Sequence, residues 1–235
     1  MTKGKCALCK IPNKICRQPG GHSPAFCSTN LYGEAIAKAA EEYEKADIHE
    51  FARLASVQEA ECYIDREANP HYLFPVKPRI QEIIEFSHKM GYRRLGLAFC
   101  AGLHQEAEVV SRIFEGHGLE VVSVICKVGG VPKETIDIKP SEHVKIGEYE
   151  TMCNPIAQAE VLNAAGTDFN VLLGLCVGHD SLFIKYSQAM VSVLAVKDRV
   201  LGHNPLAAIY TNDSYYQRFK NFRLKELTVK DGKQE

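Results

Sequence analysis

A chain of 235 residues that is 46% hydrophobic and 24% charged carries enough apolar material for a sizeable core. Its formal net charge of −1 excludes the basic footprint of a nucleic-acid or anionic-membrane binder. No run reaches the roughly 18 consecutive apolar residues of a spanning helix, and the polar opening MTKGKCALCKIPNK has no signal-peptide core, so cytoplasm is the expected compartment.

Residues 1–30 are rich in Cys, Gly, Pro and Lys without apolar periodicity, which suits a small knuckle held by something other than a core. Residues 31–78 turn helical, and this segment is expected to pack on the main domain. EAIAKAAEEYEKA is followed by DIHEFARLASVQEAECYIDRE, with Asp47 as the expected N-cap and Cys62 on a face shared with Phe51 and Leu54. ANPHYLFPVKP is a proline-broken connector. From residue 79 to 235 the rhythm is that of an α/β domain. RIQEIIEFSHKMGY is a helix, RRLGLAFC a strand, GLHQEAEVVSRIFEGHG a helix and LEVVSVICKV a strand. After an irregular stretch through Pro140 come the helix NPIAQAEVLNAAG, the strand FNVLLGLC, the short helix DSLFIKYSQA and the strand MVSVLAVKD. Short apolar strands alternating with helices predict a Rossmann-like three-layer sandwich with a mainly parallel sheet. Neither G-x-G-x-x-G after the first strand nor G-x-x-x-x-G-K-[ST] occurs, so a standard dinucleotide or ATP role gains no support.

Nine cysteines in a chain expected to be cytoplasmic point to metal or redox chemistry rather than to disulfides. They fall into two groups. Cys6, Cys9, Cys16 and Cys27 sit in the knuckle, where a C-x-x-C pair and two further thiols can complete a four-sulfur site for zinc or an iron–sulfur cluster, and His22 could replace one sulfur. Cys100, Cys126 and Cys176 end successive strands, and Cys153 stands just before a helix. In a parallel sheet all strands finish on one edge, the edge where ligands bind, so these four should converge there. Single strand cysteines are usually small hydrophobes, and Cys62 is read that way; four at matched ends suggest a shared site. An open four-thiolate site suits an iron–sulfur cluster better than structural zinc, although a catalytic dithiol without metal uses the same geometry.

The same rim should carry His104, His179, Asp180, Ser181, Lys197, Asp198, Arg199 and the turn GHNP. His179, Asp180 and Lys197 are the candidate catalytic groups, as proton donors or substrate binders, with Lys197 and Arg199 able to hold an anion. Each also has a plain alternative as a turn residue or a solvated strand end.

The stretches CALCK, GLAFCAGL, MCNPIAQAEVLN, LLGLCVGHDSLF and VLAVKDRVLGHNPLAA together resemble a family of cysteine-rich bacterial and archaeal proteins of unknown function, commonly labelled metal-binding and mostly from anaerobes. The resemblance spans nearly the whole chain and implies a metal-binding domain that includes both cysteine groups, but no reaction.

Three functions follow as expectations. The first is an iron–sulfur protein, with one or two [4Fe–4S] clusters, in which the sheet-edge site serves redox or small-molecule chemistry and zinc is the alternative in the knuckle. The second is a non-enzymatic metal or ligand binder or sensor with structural zinc. The third is a thiol redox enzyme, disfavoured because the only C-x-x-C lies in the knuckle. A small-molecule substrate or an electron donor is the expected partner, with no nucleic acid and no membrane.

Overall fold

The structure is a computed structural model that describes residues 3–68 and 71–220. The connector residues Asn69 and Pro70 therefore lie outside the described residues, as do residues 221–235. The chain divides into two compact units, Met1–Lys77 and Pro78–Glu235.

In the first unit the cysteine-rich segment is followed by α1 (Ser28–Leu31), α2 (Gly33–Glu42), α3 (Ala46–Glu61) and a two-residue hairpin, β1 (Tyr63–Ile64) against β2 (Phe74–Pro75). Asp47 is not the cap of α3. Lys45 occupies that position, and Asp47 lies in the first turn, where its carboxylate faces the positive end of the helix dipole. Cys62, at the end of α3, is buried and donates its thiol hydrogen to the Gln58 carbonyl at 3.1 Å, as a core cysteine would.

The second unit runs α4 (Arg79–Lys89), β3 (Arg94–Phe99), α5 (His104–Gly116), β4 (Glu120–Ile125), α6 (Pro155–Ala164), β5 (Phe169–Leu173), α7 (His179–Tyr186), β6 (Met190–Ala195) and α8 (Leu206–Tyr210). The four strands form one wholly parallel sheet in the order β4-β3-β5-β6, flanked by helices, which gives the Rossmann-like architecture. From β3 the chain moves outward through α5 to β4, whereas from β5 it moves the opposite way through α7 to β6. The connections diverge between β3 and β5, and this is the switch point that opens a crevice beyond the strand ends.

Period-two alternation divides the sheet residues between two faces. Ala98, Val124 and Leu172 pack under Ala159, Leu162 and Phe183 of α6 and α7. Leu95, Leu97 and Val171 belong to the other set and are wholly buried. The approach of α6 is close at Gly96, where a Cβ would lie 2.0 Å from Asn170 Oδ1 and 2.7 Å from Leu162 Cδ1. Asn170 is itself fully buried, with hydrogen bonds of 2.8 Å from Thr167 Oγ1 and to Ser187 Oγ. Among the described residues no helix is long and apolar enough to cross a membrane.

Candidate functional site

Strand register explains the first pair of cysteines. Ala98 lies opposite Val124 and Phe99 opposite Ile125, so Cys100 and Cys126 follow side by side on neighbouring strand ends and belong to the same face of the sheet. Backbone bonds continue the ladder past the strands, from Cys100 N to Leu173 O at 3.1 Å and from Cys126 N to Phe99 O at 2.9 Å. The Gln158 side chain on α6 fixes this corner, donating to Phe99 O at 3.2 Å and Val124 O at 2.7 Å while fully buried. Cys153 arrives just ahead of α6, whose start is set by Pro155 at its first position and by Asn154, which caps Ala157 N. The next residue is held directly on the corner by the 2.7 Å bond from Asn154 N to Cys126 O.

Cys176 is placed differently from the expected strand end. The strand stops at Leu173, and Gly174 turns the chain at φ +68°, where an added Cβ would stand 2.0 Å from Leu103 Cδ1. That turn needs glycine on both counts. It carries Cys176 beyond the sheet to the start of α7, where its carbonyl accepts from His179 N at 2.9 Å and Asp180 N at 3.2 Å. Cys100, Cys126, Cys153 and Cys176 all line one cleft of about 440 Å³.

The sulfurs share few protons. Cys126 Sγ lies 3.8 Å from Cys153 Sγ and accepts from Ala101 N–H at 3.3 Å. The hydrogen bond from Cys126 lowers the Cys100 thiol to a pKa of about 5, helped by the Gly102 N–H and by Lys197. Cys153 is lowered to about 6, again chiefly by Cys126, with Lys127 and His179 adding positive potential. Cys126 is pushed far up by its bonds to both neighbours and by burial. The trio therefore carries negative charge around one retained proton. Cys176 accepts from Arg199 Nη2 at 3.1 Å.

The remaining walls come from segments that sequence reasoning passed over. The long connection between β4 and α6 contributes Lys127, Lys133, Ile136, Ile138, Val144, Glu150 and Met152. Its two arms are tied by backbone bonds, Lys133 N to Glu150 O at 3.1 Å and Met152 N to Val131 O at 2.8 Å, and by the Lys133–Glu150 ion pair at 2.9 Å. Lys127 Nζ donates to Thr151 O at 2.5 Å. The sequence signal was the length of the connection, well beyond the roughly 12–15 residues usual for a structureless loop in a compact domain.

Of the expected rim residues, His179, Lys197 and Arg199 line the cleft. Asp180 does not. Its carboxylate is turned onto its own turn, accepting from Gly178 N at 3.0 Å and Ser181 N at 2.8 Å. His104 lies in a different cavity of about 320 Å³, its ring edge-on to Phe99. Asp198 and His203 are joined in a local turn by the 3.1 Å bond from Asp198 N to His203 Nδ1.

In the cysteine-rich segment, Lys5 N donates to Phe26 O at 3.2 Å and Cys6 Sγ to Ser28 Oγ at 3.1 Å, so its two ends are stitched together. Between them Lys14 bridges His22. Ser28 also lowers the exposed Cys6 thiol. Cys27 is buried, Cys9 half-buried and Cys16 exposed. Among the described residues, no group of three or more Cys, His, Asp or Glu side chains is placed to hold a metal ion.

Residues 27–194 match the family described as protein of unknown function (DUF1847). The chain is also 41% identical over 212 residues to the uncharacterised protein MJ0455 of Methanocaldococcus jannaschii, covering 90% of this chain and 95% of that protein. The cysteine-lined cleft thus stands on a chain that belongs to the DUF1847 family of proteins of unknown function.

Proposed function

We propose that this protein binds a metal–sulfur centre through Cys100, Cys126, Cys153 and Cys176 and uses it for redox or small-molecule chemistry. The observation that carries the reading is the meeting of four cysteines from four separate segments in one cleft at the sheet's switch point. The donor set fits. Two thiolates on one tetrahedral ion, with bonds of about 2.3 Å, stand about 3.8 Å apart, the separation of Cys126 and Cys153. Closing Cys100 and Cys176 on the same centre asks for rotamer changes at both residues. The four cysteines line an open cleft rather than a closed shell, which suits an iron–sulfur cluster better than structural zinc. The centre would supply electron transfer or a Lewis-acid site, while Lys197 and Arg199 offset the charge of its thiolates and His179 is at hand as a proton donor.

The N-terminal quartet, Cys6, Cys9, Cys16 and Cys27, is proposed as a second site, for zinc or a second cluster. A thiol redox reading without metal also has an observation behind it, the Cys126–Cys153 contact beside a lowered thiol.

The deciding experiment measures iron, zinc and acid-labile sulfide per chain after purification without oxygen, for the natural chain and for Cys176→Ser and Cys9→Ser. About four irons and four sulfides, lost in Cys176→Ser, is the expected result for one cluster at the sheet edge. A full metal complement in Cys176→Ser overturns the reading. Separate losses in the two variants count two centres.

A further inference from the structure

We infer that the sheet-edge cleft receives a small organic monocarboxylate with an apolar body, its carboxylate held by Lys197 and Arg199. The inference deepens the metal–sulfur reading and takes its charge balance from it. Four permanent cations, Lys127, Lys133, Lys197 and Arg199, line the cleft against one carboxylate, Glu150. Four thiolates around a divalent centre carry two negative charges, so the loaded site keeps about one net positive charge. Without the centre the lining cations still outnumber Glu150. A carboxylate suits either balance, whereas a cation opposes it.

Placement narrows the choice of cation. Lys133 is neutralised by Glu150 and Lys127 is turned to Thr151 O. Lys197 and Arg199 instead stand against sulfur. Lys197 reaches Cys100, following β3, and Arg199 reaches Cys176, following β5, so the two stand on either side of the switch point. Among the described residues, the Arg199 guanidinium makes one hydrogen bond, to Cys176, and its other N–H groups remain available for a planar carboxylate. Gly102 leaves the space beside Lys197 Nζ, since a Cβ there would lie 3.2 Å from the ammonium.

The other lining is hydrocarbon. Ile136, Ile138, Val144 and Met152 come from the tied connection between β4 and α6. A fully hydrated inorganic anion would gain nothing from this wall, and a hydrocarbon without an anionic head would leave the cations unmatched. A few converging polar groups in an otherwise apolar concavity are the usual build of a small-molecule site.

The test is calorimetric titration of the anaerobically purified full chain with 3-phenylpropionate, 3-phenylpropanamide and 3-phenylpropylamine, with metal content measured on each sample. The carboxylate is expected to bind about tenfold or more tightly than the amide, and the amine not at all. Arg199→Met and Lys197→Met should each bring carboxylate and amide to within about twofold, and Ile138→Asp should weaken the carboxylate. Equal affinity of carboxylate and amide in the natural chain overturns the inference, as does failure of the carboxylate to bind at about 10 mM. These outcomes need no variant to fold. A carboxylate preference in protein that holds no metal sinks the metal–sulfur reading alone. Bound metal without that preference sinks this inference alone.

Discussion

Replacing Cys126 with alanine isolates the interaction that sets the chemistry of the sheet-edge thiols. Cys126 is the largest influence on Cys100, which titrates at about 5, and its hydrogen is the one removed. A hydrogen bond to a charged group is worth about 1.5–3 kcal/mol, and each pKa unit is 1.36 kcal/mol. Loss of the donor should therefore raise the Cys100 midpoint by about one to two pH units, to about 6–7. It should not return to an ordinary thiol's range, because the Gly102 N–H and Lys197 still stabilise the thiolate. The assay follows the rate of iodoacetamide labelling of Cys100 against pH in metal-free, reduced protein, located by peptide mass spectrometry. The midpoint for Cys153 should rise in the same variant, since Cys126 is its largest influence too. A Cys100 midpoint unchanged by Cys126→Ala refutes the shared-proton arrangement. A rise well above 8 would show that Lys197 and the Gly102 N–H contribute nothing.

The same thiols make the stability of the metal-free chain depend on pH. Cys100 and Cys153 have depressed values in the folded state, so their contribution is present above the unfolded thiol pKa of about 8.5 and is lost as pH falls towards about 6 and 5. Cys126, pushed up, works in the other direction, and its contribution fades as pH rises past about 8.5. Urea midpoints of metal-free protein should peak near pH 8 and fall between about 8 and 5, with Cys100→Ser flattening that fall; a curve flat over this window in the natural chain contradicts the assignment. Proton release on metal binding gives an independent count. At pH 7 Cys100 and Cys153 have already lost their protons, so loading one divalent ion at the sheet edge should release at most about two protons, read in buffers of different ionisation enthalpy; three or four would show the thiols to be protonated beforehand.

Much of this site is legible in the sequence because it depends on rules of parallel sheets. A strand with an apolar run ending in cysteine must deliver that cysteine to the common edge, and Cys100 and Cys126 follow this rule. Cys176 reaches the cleft by a different device, the glycine turn at Gly174, which the unbroken apolar run FNVLLGLC conceals. The repeated pattern of strand, cysteine, glycine and histidine misleads in another way. His104 and His179 look equivalent, yet α5 serves the step from β3 to β4 and α7 the opposite step from β5 to β6. The two histidines consequently end in different cavities. Asp180 reads as a rim carboxylate, but two local N–H groups claim it first, as happens to short acidic side chains at helix starts. The walls from Lys127 to Met152 have no periodicity to read, since tertiary bonds across their neck create their shape. Gln158 shows why burial matters: within an apolar helix it looks like a solvated position, and it instead donates to two strand-end carbonyls, Phe99 O and Val124 O.

The arrangement would make Cys126 the pivot between the two chemistries proposed for the cleft. As a thiol it donates toward the ionised form of its neighbours, and it stands 3.8 Å from Cys153. As a metal ligand it must lose that proton, because only the thiolate binds. A centre bound there would take the proton's place, so metal and proton would compete for Cys126, and lowering the pH is expected to weaken metal binding. Lys197 stands beside Cys100 and Arg199 beside Cys176. Both cations follow β6 and line the cleft beside the sulfurs, in place for an anion on either reading.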